Sequence, residues 1–207
     1  MRGLFIAFEG VEGAGKSTQV ALLEARLKQH GRDPLLVREP GGTELGEEAR
    51  RLVLHGGDVS PAAELFLYLV ARAEIVAKVI RPALEAGKVV IADRYELSTR
   101  AYQGAGRGLP EHKVKAAIAL ATGGLMPDLY VVLDVPFETG RSRQRGAGKS
   151  PDRIERMEEE FFRRVAEAFR GAQGPNIAHV AAERARERVA EDVWALVTQR
   201  FGRRFAK

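Results

Sequence analysis

Cysteine is absent from the 207 residues, and asparagine and tryptophan occur once each. Without cysteine there are no disulfides and no thiolate metal ligands, which suits a reducing, cytoplasmic setting. No run of about 18 apolar residues exists to cross a membrane. The opening MRGLFIAFEG turns acidic too early to read as a secretory leader. An N-K-x-D guanine-binding motif cannot form, because the single asparagine, Asn176, is followed by isoleucine. Lysine is also scarce: 25 of the 33 basic residues are arginine, set against 28 acids, for a formal net charge of +5. Arginine forks match phosphate geometry, so an anionic ligand is attractive. Nucleic acid is the other obvious anion. However, the arginines are interleaved with acids, as in RIERMEEEFFRR, and no aromatic RNA-binding signature accompanies them. Neither a nucleic acid nor a membrane partner is expected.

What is present is regular alternation. Short apolar runs at 4–8, 34–38, 88–93, 129–135 and 176–180 read as buried strands. Between them lie amphipathic stretches long enough for helices, at 16–30, 44–55, 61–86, about 110–122, 153–170 and 182–200. Strand–helix alternation implies a parallel sheet covered on both faces. No linker interrupts it, so residues 1–207 are expected to form one α/β domain.

The pentapeptide GAGKS occurs twice, at 13–17 and at 146–150. The first copy extends to GVEGAGKS, in which Gly10, Gly15, Lys16 and Ser17 complete G-x-x-x-x-G-K-[ST] directly between a predicted strand and a predicted helix. That context makes it a phosphate loop. Backbone N–H groups of Gly10, Val11, Glu12, Gly13, Ala14, Gly15, Lys16, Ser17 and Thr18 are expected around ATP phosphates, at the positive end of a helix dipole. Lys16 should reach the β- and γ-phosphates, and the Ser17 hydroxyl should ligate Mg²⁺. The second copy fails the same test: position 143 is arginine where a phosphate loop needs glycine, and Pro151 follows at once. Its surroundings, RSRQRGAGKSPDR, carry Arg141, Arg143, Arg145, Lys149 and Arg153. They read as a mobile, cationic lid at about 141–153 that brings charge to a transferring phosphoryl group, with a solvated basic loop as the alternative.

A phosphate loop does not by itself separate a GTPase, an ATPase motor and a small-molecule kinase. Two strands end in aspartate; Asp93 is the expected acidic partner of Mg²⁺, with Asp134 the alternative. Arg94 follows Asp93 at the same sheet rim as the phosphate loop and is placed to clamp an acceptor phosphate. Five segments in order, FEGVEGAGKST, REPGGT (38–43), YLVAR (68–72), DRYELSTRAYQG (93–104) and DRIE (152–155), make the chain resemble the thymidylate kinases over nearly its full length.

That resemblance implies a three-layer P-loop kinase fold with a five-stranded parallel sheet flanked by helices, and Mg²⁺-dependent transfer from ATP to dTMP. It also implies roles by position. Tyr68 stacks on thymine and Arg72 hydrogen-bonds the base. Glu12 contacts the sugar 3′-hydroxyl, and Arg38 opens the loop that closes the monophosphate site. Ser98, Thr99, Tyr102 and Gln103 surround base and deoxyribose, with Tyr102 disfavouring a 2′-hydroxyl, and Arg94 clamps the dTMP phosphate. Read alone, Tyr68 is a core residue. The phosphate loop holds no arginine, so the catalytic arginine is expected in the lid, at Arg145 or Arg143, with Lys149 a further candidate. The family is typically homodimeric. Another P-loop nucleoside or nucleotide kinase, and a nucleic-acid-binding ATPase, are the competing readings.

Overall fold

The computed structural model describes residues 2–146 and 152–204. Five strands, β1 (Leu4–Glu9), β2 (Leu35–Arg38), β3 (Val89–Asp93), β4 (Leu129–Asp134) and β5 (Ile177–Ala181), pair in parallel in the order β2-β3-β1-β4-β5. Their bounds agree with the apolar runs to within a residue. β1, β3 and β4 are apolar on both faces because both faces are covered. Phe5, Ala7, Val90, Ala92, Tyr130 and Val132 belong to one core, and Leu4, Ile6, Phe8, Ile91, Val131 and Leu133 to the other. α1 (Lys16–Gln29) and α9 (Arg186–Phe201) close the second core through Val20, Leu23, Leu27, Val189, Val193 and Val197. The first is covered by α3 (Pro61–Ile75), by the turns that follow it, and by α8 (Glu159–Arg170). This is the expected three-layer arrangement.

The remaining helices are α2 (Glu44–His55), α4 (Arg81–Glu85), α5 (Glu96–Thr99), α6 (Glu111–Thr122) and α7 (Phe137–Gly146). Local chemistry starts α2 and α3 where sequence reasoning places the starts. Thr43 caps α2 by accepting from Gly46 N at 3.0 Å, and Ser60 caps α3 ahead of Pro61.

The helices depart from expectation at several points. The helix expected over 61–86 passes through π-helical turns at Val76–Ile80 before α4. Pro82 lacks an N–H, and its ring would crowd the carbonyl of Lys78 in a regular ladder, so the wider turn accommodates it. Residues 96–106 are helical, as α5 and a π-helical stretch Arg100–Gly106, although their sequence is polar and glycine-rich. Gly106 permits that packing: a Cβ there would come within 2.6 Å of the Phe161 ring on α8. The α8 and α9 helices begin later than expected, at Glu159 and Arg186, after turns. Finally, residues 141–146 of the expected lid are helical, in α7, and 147–151 lie outside the described residues. With one large apolar residue, Phe137, α7 shows no amphipathic period. It is held by the Phe137–Phe162 stack at 6.5 Å and by the Arg141 guanidinium 4.5 Å above Phe162.

Candidate functional site

The strand order reverses direction at β1, the topological position at which open parallel sheets bind ligands. The loop from Gly10 to Ser17 leaves β1 there and enters α1. Gly10, Gly13 and Gly15 take φ values of 134°, 74° and 92°, which only glycine adopts without strain and which turn successive N–H groups inward. Lys16 folds back over this loop, donating from Nζ to Gly10 O at 2.9 Å and to Val11 O at 2.8 Å. Burial, then the neighbouring Arg94, pull its pKa down to about 7, against the opposing pull of Asp93, Glu12 and Glu9. Such an ammonium gains strongly from an incoming phosphate.

Ser17 Oγ donates to Asp93 Oδ2 at 2.5 Å. A hydroxyl and a carboxylate side by side suit a hard, oxygen-seeking cation such as Mg²⁺, which takes most of its ligands from phosphate and water. Among the described residues no cluster of three or more acidic or histidine side chains exists that would hold a metal by itself. Asp134, the alternative acid, is engaged elsewhere: its carboxylate meets His179 Nδ1 at 2.9 Å.

Arg94 is, among the described residues, the only non-glycine with positive φ (76°). A strained backbone at a sheet rim marks a residue held for its side chain. Its N–H donates to Phe8 O at 3.0 Å, Nη1 donates to Gly10 O at 3.3 Å and Ser98 Oγ at 3.0 Å, and the guanidinium lies 5.1 Å over the Tyr102 ring. Burial works against its charge, yet Tyr102, Glu12 and Asp93 more than offset it, and the pKa rises above the ordinary arginine value. Glu12 lies 3.7 Å from Arg94 and accepts from Gln144 Nε2 of α7 at 2.6 Å. Its carboxyl is pushed up by burial, which outweighs Arg94 and Lys16.

These groups open into a cavity of about 690 Å³. Of the residues predicted from sequence, it brings together Glu12 through Thr18, Arg38, Tyr68, Arg72, Asp93, Arg94, Ser98, Thr99, Tyr102, Gln103 and Arg143. Tyr68 is only half-buried on this wall, which corrects its reading as a core residue. Arg72 is nearly inaccessible (1% exposed), and donates to Glu39, Thr99 and the Tyr95 carbonyl. Arg38 is exposed and reaches Glu47 at 3.4 Å.

Arg143 does not hang in a loop. From α7 it donates to Gly13 O at 3.4 Å and Ala182 O at 3.3 Å, beside the phosphate loop. Arg145 lies at the end of α7 with its side chain outside the described residues, as Lys149 does altogether. The chain resumes in a turn at Asp152, where the Asp152 and Glu155 side chains each accept the other's backbone N–H, at 2.8 and 2.9 Å.

Sequence reasoning missed Glu9, Glu39 and Glu64. Glu9 is fully buried and accepts from Tyr95 N, Ser98 N and Ser98 Oγ, which pins the start of α5. Its carboxyl is also pushed up by burial, opposed by Ser98 and Arg94. An acid closing the otherwise apolar run FIAFE was the available signal. Arg184, Arg186 and Val189, which line the cavity near Gln19, carried no signal at all.

A family model described as thymidylate kinase matches residues 8–193. The thymidylate kinase of Synechococcus sp. (strain JA-2-3B'a(2-13)) is 48% identical over 200 residues, covering 95% of each chain. That of Thermomicrobium roseum is 49% identical over 207 aligned residues, covering 94% of each. The thymidylate kinase of Deinococcus radiodurans is 43% identical over 203 residues, covering 96% of this chain and 98% of its own. Since the match runs from the end of β1 into α9 and the relatives align almost end to end, this chain belongs to the thymidylate kinase family.

Proposed function

We propose that this phosphotransferase moves the γ-phosphoryl group of ATP onto dTMP, giving dTDP and ADP. The observation that carries the reading is the continuity of one cavity, lined by the phosphate loop and by the Tyr68–Arg72 wall of α3, with Lys16 and Arg94 between them. Two nucleotides entering from opposite ends would meet phosphate to phosphate at those two cations.

The acceptor oxygen needs no protein base, because a phosphate monoester with a second pKa of about 6 is already anionic near neutrality. The difficulty is repulsion between two polyanions, so catalysis reduces to alignment and charge neutralisation. The loop N–H groups and Lys16 hold the donor phosphates, and Arg94 holds the acceptor phosphate. Arg143, anchored beside Gly13, brings further positive charge to the transferring group. We assign the catalytic arginine to the 141–153 segment as a whole, with Arg143 and Arg145 as its candidates. Ser17 and Asp93 would hold Mg²⁺, which would supply charge neutralisation at the phosphates. On the acceptor side, Tyr68 stacks on the base, Arg72, Thr99 and Gln103 face it, and Glu12, Ser98 and Tyr102 face the deoxyribose. Arg38 stands at the mouth.

We also propose a cytoplasmic homodimer. Phe66 and Val70 stand 62% and 40% exposed on α3, an apolar face that a second copy would cover. Sedimentation at micromolar protein tests this.

The function is tested by ADP release with dTMP, dUMP, dCMP, dGMP and unphosphorylated thymidine. Preference for dTMP is expected. Preference for the nucleoside would indicate a deoxynucleoside kinase instead.

A further inference from the structure

Glu64 lies on α3 one helical turn before Tyr68 and two before Arg72, so the three share a face, and it is fully buried. Its Oε2 accepts from Arg153 Nη2 at 2.6 Å and forms an ion pair with Arg107 Nη2 at 3.1 Å, and its Oε1 accepts from Gln103 Nε2 at 2.9 Å. Both guanidiniums are anchored in turn. Arg153 donates from Nε to Val53 O at 2.8 Å, capping the last turn of α2, and Arg107 donates to Val59 O at 2.6 Å. The carboxylate is thus clamped and cannot rotate away from Gln103.

Gln103 is itself 1% exposed and lines the cavity. A side-chain amide has one donor end and one acceptor end. A carboxylate oxygen can only accept, so Glu64 takes the donor end and leaves the carbonyl for the cavity. Among the described residues no protein donor is paired with Gln103 Oε1, nor is that atom sealed from the cavity.

We propose that Glu64 is a specificity-determining positioning residue: by fixing the Gln103 amide it makes this wall an acceptor, which selects a pyrimidine with a ring N–H over an aminopyrimidine whose ring nitrogen is bare. The inference rests on the acceptor nucleotide binding at the α3 wall, as proposed above. With the imide base, N–H meets carbonyl. With the aminopyrimidine, two acceptors face each other at a side chain only 1% exposed, which costs far more than one missing contact.

The test is Glu64→Gln, a nearly isosteric change. The new amide carbonyl still has the Arg153 guanidinium to accept from, with Arg107 beside it, so its NH₂ turns to Gln103, whose own amide must flip to accept. The cavity then meets a donor. The ratio of kcat/KM for dTMP to that for dCMP is expected to fall at least about tenfold, with KM for ATP unchanged. In the double variant Glu64→Gln/Gln103→Glu, amide and carboxylate exchange places, an acceptor faces the cavity again, and the ratio should return towards the parent value. A single variant that slows both substrates equally, with the ratio preserved, overturns the inference. Should that variant fail to fold, the double variant decides: a ratio near the parent value supports the inference, and a collapsed ratio overturns it. A parent protein inert towards dTMP overturns the functional reading and this inference together, whereas the variant ratios bear on this inference alone.

Discussion

Arg72 Nε donates to Glu39 Oε2 at 2.6 Å, with the two side chains only 1% and 2% exposed. The same guanidinium reaches Thr99 Oγ1 and the Tyr95 carbonyl. One buried cation therefore ties the REPGGT loop, α3 and the segment after β3 into a single wall of the cavity. Burial pushes Glu39 up to about 7 even though Arg72 opposes the shift.

Removing the cation is expected to damage the fold before it reports on recognition. Arg72→Ala leaves Glu39 buried without its partner, a loss of about 3–5 kcal/mol, seen as a fall in Tm of roughly 10 °C. Recognition is tested more cleanly at the half-buried Tyr68. Tyr68→Leu should raise the KM for dTMP about tenfold or more and leave the KM for ATP unchanged. A rise confined to ATP would place the acceptor base elsewhere.

Lys16→Ala should lower turnover by at least about a thousandfold, or roughly 4 kcal/mol of transition-state stabilisation. The circular dichroism spectrum should be preserved, since the ammonium bonds only loop carbonyls. Near-native turnover from a folded variant would remove the phosphate loop from the mechanism.

Two arginines two residues apart on α7 should behave differently. Arg143, beside the Gly13 carbonyl, is expected to act on the transferring group: Arg143→Ala should lower kcat about a hundredfold, roughly 3 kcal/mol, with KM for dTMP little changed. Arg141 packs over Phe162, so Arg141→Ala should lower Tm and spare kcat. Equal effects on kcat would mean that both simply supply diffuse charge.

Gly140 lets α7 approach the phosphate loop, because a Cβ there would come within 2.6 Å of the Glu12 carbonyl. Gly140→Ala should push the helix away and weaken the Gln144–Glu12 contact. Turnover should fall about tenfold or more while Tm moves by only a few degrees. Unchanged turnover would show that the close approach is dispensable.

His179 places Nδ1 on Asp134 and Nε2 on the Ala172 carbonyl, two acceptors that suit the doubly protonated ring. Burial disfavours that charge, but the Ala172 and Asp134 contacts outweigh it and hold the pKa above its ordinary value. The folded pKa exceeds the unfolded one, so the stabilisation is complete below about 6.5 and is lost as pH rises through the folded value. Both groups are partly exposed, so it amounts to no more than about 1 kcal/mol. Unfolding curves of the parent and His179→Gln should converge as pH rises from 5 to 9. A constant gap would refute the linkage.

The sequence alone was enough for the alternation of elements, the parallel sheet and the first GAGKS copy. Those signals are local: an apolar run long enough for a strand, and glycines at the offsets a phosphate loop needs. The family motifs likewise located Tyr68, Arg72, Arg94 and Gln103 by order along the chain. Tertiary structure decided which acid faces Ser17, because Asp93 and Asp134 end adjacent-looking strands that lie on opposite sides of β1. It also decided that the backbone of RSRQR is helical, since α7 is stabilised by Phe162 and the phosphate loop and not by its own periodicity. The partners of Glu9, Glu39 and Glu64 became legible only there. A buried carboxylate is defined by partners distant in the chain, 89 residues away for both Glu9–Ser98 and Glu64–Arg153, and no window along the sequence contains both members of such a pair.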